Sequence, residues 1–319
     1  MKAAVEHAAA PAGRWYPGRR VLQVGLPLLL LVLAALIGAL SPAHGQERFS
    51  IYVGSDPANV ERMLRLAKLG DDDVVIDLGS GDGRIVIGAA LVNPHLRGVG
   101  VDIDPKLVAE ATDAAREKAV ADRVRFLRQN AFDADLSAVS VIFMWLWPEL
   151  QTMLRPKILR EARPGTRVVT NVWDLGSWQA DEVDPEAPIS LWIVPAKVDG
   201  FWSWKLDVRG RRHAYATILE QRFQRVEGFT RVHKRRAILH EVRLRGEDIV
   251  IRCDLTLEGT GYARHVFAGK VRGDAIEGSV RVTLSSAADG EREETLVLPW
   301  KAARVATSDY FAPTGADGP

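Results

Sequence analysis

The chain has 319 residues, of which 47% are hydrophobic and 26% charged, and its formal net charge is +1 at pH 7. At about 100 to 200 residues per domain, this length predicts two domains. The composition is typical of globular proteins and excludes a largely disordered, collagenous or polytopic membrane protein. The balance of basic and acidic residues does not favour nucleic acid as a partner. One cysteine, Cys253, allows no internal disulfide and no thiolate metal cage.

Residues 1–45 have the pattern of a signal peptide or an N-terminal membrane anchor. Basic residues precede the apolar run 21–40, and Ala43-His44-Gly45 places small residues before a cut at Gln46. The run is also long enough to span about 30 Å of hydrocarbon, so cleavage stays open. The charge asymmetry predicts that the rest of the chain lies outside the cytoplasm, and Arg19-Arg20 resembles a twin-arginine signal. We therefore expect a membrane-associated or exported protein.

Residues 46–198 are predicted to form an α/β domain with a doubly wound, mostly parallel sheet. Apolar strands alternate with helices that begin at a capping aspartate followed by proline, as at Asp56-Pro57 and Asp104-Pro105, and Gly70 is expected to stop the first helix. This alternation is typical of a Rossmann-like fold. The predicted strands are 74–78, 98–101, 124–127, 139–144, 166–172 and 189–194.

A glycine loop, Gly79-Ser80-Gly81-Asp82-Gly83, follows the first strand, and Asp102 ends the second. Both fall at the carboxyl edge of the sheet, where such folds bind ligands. The spacing Gly-x-Gly-x-Gly differs from the Gly-x-Gly-x-x-Gly pattern of nicotinamide enzymes. Asp77 would repel a pyrophosphate but attract an ammonium group, and Asp102 can accept from two ribose hydroxyls. The residues therefore favour S-adenosylmethionine, with NAD as a weaker alternative.

Further cofactor contacts are expected near these positions. Ser80 lies in the glycine loop, and Ile103 follows Asp102 directly. Asn130-Ala131-Phe132, after the third strand, could bind and stack on adenine. Asp82 and Arg84 are interpreted as a structural pair, with Asp82 also capping the following helix.

Segments 75–84 and 100–104 resemble the class I S-adenosylmethionine-dependent methyltransferases. From 52 to 178 the chain is similar to the group that contains the mitochondrial lysine methyltransferases of the ATP-synthase c-subunit and the adenine nucleotide translocase, with their bacterial relatives. This similarity is found in segment 77–85, Pro148-Glu149-Leu150, segment 154–157 and segment 164–169. It implies cofactor roles for Asp77, Gly79, Gly81 and Asp102.

The resemblance also implies methyl transfer to an amine, such as a protein lysine of a membrane-associated target. Two departures concern activity: Gly54-Ser55-Asp56-Pro57 replaces a Pro-Thr-Pro segment, and Asn130 stands where an aspartate is usual. A lysine nucleophile must lose a proton, and Glu149 is the predicted catalytic residue that assists this step. Trp145 and Trp147 could line the acceptor channel, although packing alone also explains them.

Residues 199–309 are predicted to form a β-rich accessory domain, a meander, sandwich or small barrel, followed by a disordered tail at 310–319. Segments 243–257, 262–271 and 275–284 alternate apolar with polar residues, and Cys253 is expected in their core. Gly200-Phe201-Trp202 is similar to the opening motif of lipocalin-like barrels, although an aromatic plug at a sheet end explains it more simply.

Basic residues are dense between Arg209 and Arg252. Such a segment usually forms a solvated strand face, but it could also contact anionic lipid. The histidines within it, His213, His233 and His240, lack metal-ligand spacing, so no metal is expected.

Two functions from different classes remain open. The first is an S-adenosylmethionine-dependent methyltransferase acting on a protein or small amine. The second is an exported, catalytically silent protein of the same fold whose β-domain binds a ligand or partner. The leader favours the second function, because S-adenosylmethionine has no obvious supply outside the inner membrane.

Overall fold

The computed structural model describes residues 54–285 and 293–306. These residues form a seven-stranded sheet and a nine-stranded sheet that belong to one compact unit. The predicted leader, residues 1–45, and the predicted tail, residues 310–319, lie outside the described residues. Within the two described ranges, no helix combines the length and the apolar character that crossing a bilayer requires.

The first sheet alternates with helices as the sequence predicts. Its strand order is β3-β2-β1-β4-β5-β7-β6. Strands β1 to β5 run parallel to one another, whereas β7 is antiparallel to β5 and β6 is antiparallel to β7. The predicted α/β class with a doubly wound, mostly parallel sheet is confirmed. The elements are α1 (Pro57–Ala67), β1 (Val74–Leu78), α2 (Arg84–Val92), β2 (Arg97–Asp102), α3 (Pro105–Glu117), β3 (Val124–Arg128), β4 (Val141–Met144), α4 (Pro148–Glu161), β5 (Arg167–Asn171), β6 (Glu182–Val183) and β7 (Ile189–Ile193).

Two helices begin at the capping residues that the sequence indicates. The Asp56 side chain accepts a hydrogen bond from Ala58 N at 2.8 Å, and the Asp104 side chain accepts one from Lys106 N at 2.9 Å. Helix α1 ends earlier than predicted, before Gly70. It ends because Lys68 adopts the left-handed C-cap conformation with φ of 50°.

The second sheet closes on itself. Its strands follow the order β11-β10-β12-β13-β14-β15-β16-β8-β9, and β9 also pairs with β10. Eight strands thus form a closed antiparallel barrel, and β11 is a further strand attached to β10. Of the three predicted β architectures, the barrel is the one observed. The strands are β8 (Gly200–Val208), β9 (Arg211–Arg222), β10 (Arg225–Val232), β11 (Arg235–Ile238), β12 (Glu241–Arg245), β13 (Asp248–Leu257), β14 (Gly261–Arg272), β15 (Ala275–Ser285) and β16 (Glu293–Val305).

Side chains fill the barrel interior, as expected for eight strands. The ring of Trp204 lies 5.3 Å from Tyr215, 5.2 Å from Phe267 and 5.8 Å from Trp300, measured between centroids. Cys253 is 1% exposed in this core, as predicted.

Trp202, near the start of β8, is fully buried in the barrel core. Its indole Nε1 donates to Val198 O at 2.8 Å, and the Arg304 guanidinium lies 4.5 Å from the ring centroid.

Candidate active site

The glycine loop forms a tight turn after β1. The backbone N–H groups of Gly79 and Ser80 both donate to Val101 O at 2.9 Å, and Gly83 N donates to Ser80 O at 2.9 Å. Gly79 has φ of 86°, and a Cβ there would lie 2.5 Å from Leu146 Cδ2. Any side chain at Gly79 would therefore fill the space between the loop and the segment after β4.

Asp77 is buried beneath this turn. Its side chain is 1% exposed, and its Oδ1 atom has no hydrogen-bond partner among the described residues. Burial, together with the negative charges of Asp102 and Asp82, raises the pKa of the Asp77 carboxyl to about 8. A buried acid without a partner needs a cationic or donor group from outside the chain. Ser80 Oγ, also buried without a partner in this part of the chain, adds a second unsatisfied atom.

Asp102 joins the glycine loop to the end of β2. Its Oδ2 accepts from Gly81 N at 2.9 Å, and its Oδ1 accepts from Asp104 N at 2.9 Å. These bonds fix the orientation of the carboxylate and leave each oxygen a second acceptor position. Ile103, the next residue, is half-buried.

The predicted adenine-binding residues lie beside Asp102. Gln129 N donates to Asp102 O at 2.9 Å, which brings the following short 3₁₀ turn, Ala131–Asp133, to the same edge of the sheet. Asn130 is exposed and caps this turn, because its Oδ1 accepts from Phe132 N at 3.0 Å. Its side-chain N–H groups stay available for a ligand. The half-buried Phe132 packs against the core, which leaves part of its ring exposed.

The buried and polar atoms of this cradle fit S-adenosylmethionine. Asp77 offers a buried anion for the ammonium group, and Asp102 offers acceptors for hydroxyls. The loop at Gly79 leaves backbone open to a ligand. Within the described ranges, no group of three His, Cys, Asp or Glu side chains could hold a metal ion.

The proposed acceptor side lies at the carboxyl ends of β4 and β5. Glu149, the predicted catalytic residue, is exposed in the first turn of α4, while Trp145 is half-buried and Trp147 is 47% exposed. Gln151 is fully buried and donates through Nε2 to Leu146 O at 2.8 Å, which fixes the segment over Gly79. Glu149 therefore comes shortly after Leu146, the residue that lies over Gly79 in the glycine loop.

The sequence interpretation missed Asn171 at the end of β5. It is fully buried; its Oδ1 accepts from Asn59 Nδ2 at 3.4 Å, and its own Nδ2 has no partner among the described residues. The available signal was a polar residue that ends an apolar strand at the ligand-binding edge.

Asp82 and Arg84 form the structural pair that the sequence indicates. Arg84 Nε lies 2.9 Å from Asp82 Oδ1, and Arg84 Nη1 donates to Ser55 O. The pair thus connects the glycine loop to the segment before α1. Gly83, with φ of 80°, takes the N-cap position of α2, and the Asp82 side chain caps the helix from one position earlier, because its Oδ1 accepts from Arg84 N at 3.3 Å.

Comparison with known proteins identifies similar sequences. Residues 77–182 match the ANTKMT methyltransferase domain. A protein-lysine N-methyltransferase of Saccharolobus islandicus (strain REY15A) is 39% identical over 132 residues, which cover 41% of this chain and 82% of that protein. The adenine nucleotide translocase lysine N-methyltransferase of Mus musculus is 32% identical over 145 residues, or 44% of this chain and 61% of that protein.

Among solved structures, an RNA methyltransferase from Salinibacter ruber in complex with S-adenosyl-L-homocysteine is 42% identical. The alignment covers 46% of this chain and 96% of that one, with a TM-score of 0.44. The chain spans about three fifths of the mouse relative's length.

Proposed function

We propose protein-lysine methylation as the function, because this chain belongs to the ANTKMT methyltransferase family and is an S-adenosylmethionine-dependent methyltransferase. The relatives from Saccharolobus islandicus and mouse both have lysine methyltransferase activity in their names. The chain spans only part of the mouse relative, so the lysine acceptor belongs to the proposal.

The buried, unpartnered carboxyl of Asp77 is the single observation that supports cofactor binding most strongly. The bound cofactor supplies an electrophilic methyl group on a sulfonium centre. Asp77 binds its ammonium group, Asp102 orients the ribose, and the Asn130 side-chain amide contacts adenine. The Ser80 hydroxyl, which has no partner among the described residues, lies beside these groups, and Gly81 N holds the Asp102 carboxylate in place.

The acceptor amine enters from the carboxyl ends of β4 and β5. In-line methyl transfer needs no acid for the leaving group, so positioning accounts for most of the rate. Glu149 attracts the lysine ammonium and accepts its proton before attack. Trp147, Val172 and Trp173, which are 47%, 43% and 41% exposed, provide apolar surface for the lysine methylenes.

A direct test incubates the protein with radiolabelled S-adenosylmethionine and separate membrane and soluble fractions of cells. We expect label in a lysine of a membrane protein, identified by mass spectrometry, and no label with Asp77→Asn. Label in RNA instead of protein would overturn the lysine proposal. Folded protein that binds no S-adenosylmethionine would favour the exported binding protein.

We further propose that the protein is membrane-associated and that the outer face of β9, β10 and β11 contacts anionic lipid. Ile218, Phe229 and Ile238 lie side by side in register on this face, and Ile238 is 75% exposed. Arg236 lies directly opposite Arg231, in the neighbouring row. An apolar row beside basic residues suits a bilayer interface, where each basic residue adds about 1 kcal/mol to the free energy of binding to an anionic membrane.

Vesicle cosedimentation tests the lipid contact. We expect more binding to phosphatidylcholine vesicles that contain phosphatidylglycerol than to pure phosphatidylcholine vesicles, and less binding for Ile238→Asn. Val297→Asn, at a residue that is 66% exposed on β16, is the matched control and should bind normally. Equal loss in both variants would contradict a specific lipid-binding face.

The side of the membrane on which the methyltransferase domain lies is a separate proposal. The leader predicts export, whereas the cofactor is made in the cytosol. A reporter that is active only in the periplasm, fused after Pro319, should be active if the domain is exported. No activity of this reporter, together with activity of a matched fusion to a reporter that is active only in the cytosol, would contradict export.

A further inference from the structure

The backbone is strained where β5 ends, at the proposed acceptor side. Val172 has φ of 70°, an uncommon conformation for a β-branched residue. Its N–H donates to Pro188 O at 2.6 Å, and Thr170 Oγ1 donates to Trp173 O at 2.5 Å. This turn leaves the side chains of Val172 and Trp173 partly exposed next to Asn171. Such strain persists only when neighbouring contacts hold the segment in place.

Contacts within the first domain hold the 172–178 loop at its far end. Leu175 and Trp178 are 0% and 1% exposed. Arg155, on α4, donates through Nη1 to Leu175 O at 2.6 Å. Trp192 Nε1 donates to Trp178 O at 2.8 Å. The loop is therefore attached to the same helix, α4, whose first turn contains Glu149.

The barrel contributes a further contact to this loop. Phe223, in the turn between β9 and β10, stacks on Trp178 with ring centroids 5.9 Å apart and planes at 15°. The Arg155 guanidinium lies 5.5 Å from the centroid of the Phe223 ring. Gln224 Nε2 donates to Gln179 O at 2.7 Å. One aromatic side chain of the barrel thus contacts both the loop and the arginine that fixes it.

The position of Phe223 is itself fixed by the barrel. Phe223 has φ of 58°, and Gln221 Nε2 donates to Phe223 O at 2.7 Å. The same Nε2 donates to Ala196 O at 2.8 Å, while Gln221 Oε1 accepts from Val198 N at 2.7 Å. The turn is therefore attached to the segment that connects the two domains, which limits its freedom to move away from Trp178.

We propose that Phe223 is a positioning residue through which the barrel holds the 172–178 loop, so that the second domain supports the acceptor side of the first. The effect on acceptor binding rests on the proposed lysine methylation, whereas the effect on the loop does not. A change at Phe223 should loosen the loop and weaken acceptor binding while it leaves the cofactor cradle, on the other side of β4, unaltered.

Hydrogen exchange on the full-length protein tests the structural half of this proposal. We expect Phe223→Ala to increase exchange in 172–178 by about tenfold, with unchanged exchange in β13 to β15. Phe223→Tyr should restore protection, because it keeps the stacked ring. The matched control is His233→Ala, since His233 also has positive φ, 53°, in a barrel turn, the one between β10 and β11. Unchanged exchange of 172–178 in Phe223→Ala would overturn the proposal.

Calorimetry and kinetics test the functional half. Phe223→Ala should bind S-adenosylmethionine within about twofold of the unaltered protein. With radiolabelled S-adenosylmethionine and the unlabelled membrane fraction as acceptor, its apparent KM for the acceptor should rise by about tenfold with kcat within about twofold. A fall in kcat at constant KM, or an equal weakening of cofactor affinity, would contradict a positioning role. If no methylation occurs in any protein, lysine methylation fails while the exchange result still decides the role of Phe223.

Discussion

The carboxyl edge of the first sheet and the interior of the barrel both bury an ionisable side chain, but the two side chains differ in their hydrogen-bond partners. His265, in the barrel, is 1% exposed; its Nε2 lies 2.9 Å from Tyr215 Oη, while its Nδ1 has no hydrogen-bond partner among the described residues. Asp77 is equally buried, yet its Oδ1 has no partner in the described part of the chain. Burial disfavours the charged form of both groups, so it lowers the pKa of His265 to about 4 and raises that of Asp77 to about 8. The His265 ring has one hydrogen-bond partner within the chain, whereas the Asp77 carboxyl has none in the described residues and lies beside the glycine loop, which indicates a ligand at Asp77.

The largest expected effect is on cofactor binding. Asp77→Asn should weaken S-adenosylmethionine binding by about 100-fold or more, because a neutral amide replaces the anion that meets the ammonium group. Isothermal titration of protein stripped of copurified ligand measures the change. His265→Gln, at the other buried group, is the control and should bind normally. Normal S-adenosylmethionine affinity in Asp77→Asn would show that Asp77, like His265, has no role in cofactor binding.

The barrel should be sensitive to acid because of His265. Its pKa is about 4 when folded and 6.5 as the ordinary value, so the unfolded chain binds more protons between these limits. Stability is therefore fully present above pH 6.5 and is lost as the pH falls towards 4, by about 2 kcal/mol at pH 5. Urea unfolding at pH 8 and pH 5 should show this loss, reduced in His265→Gln. An equal loss of stability in His265→Gln would show that groups other than His265 cause the acid sensitivity.

Asp77 should respond to pH in the opposite direction. Its folded pKa is raised to about 8, so without ligand the carboxyl binds its proton more tightly in the folded chain, and its contribution to stability falls as the pH rises from about 4 to 8. A cationic ligand requires the ionised form. Cofactor affinity should therefore weaken by up to about tenfold per pH unit below 8. Titrations at pH 6, 7 and 8 measure this slope, which should disappear in Asp77→Asn.

The smallest expected effect concerns the partner of His265. Tyr215→Phe removes the hydroxyl and leaves a buried ring nitrogen without its partner, at a cost of about 1 to 2 kcal/mol. The melting temperature should fall, while S-adenosylmethionine affinity should stay the same. A change in cofactor affinity would show that the barrel interior and the glycine loop are coupled.

Local signals made the first domain predictable. Asp56-Pro57 and Asp104-Pro105 each specify a helix start through bonds within two residues, and the Gly79 turn is encoded in five consecutive residues. The end of α1 comes two residues before the expected stop at Gly70, because Lys68 adopts the left-handed C-cap conformation. The cofactor roles of the predicted residues and the catalytic role of Glu149 stay predictions.

Long-range contacts could not be predicted in the same way. Asn171 meets Asn59 across 112 positions of the sequence, and no local pattern specifies such a pair. The alternation in the second domain indicates strands, but it does not specify that β10 pairs with β12 or that β16 returns to β8. The stacking of Phe223 on Trp178 depends on the closure of the barrel. For this reason, no sequence pattern around Phe223 indicated this contact.

The pairing of β16 with β8 also has a consequence for the order of folding. Phe201, Trp202 and Ser203 meet Val305, Arg304 and Ala303, so the edge of β8 that faces away from β9 stays unpaired until a segment roughly 100 residues later is made. By the time the ribosome has made β16, all seven strands of the first sheet have been synthesised. The cofactor cradle can therefore form during translation, while the aromatic interior of the barrel is still open to chaperones and proteases.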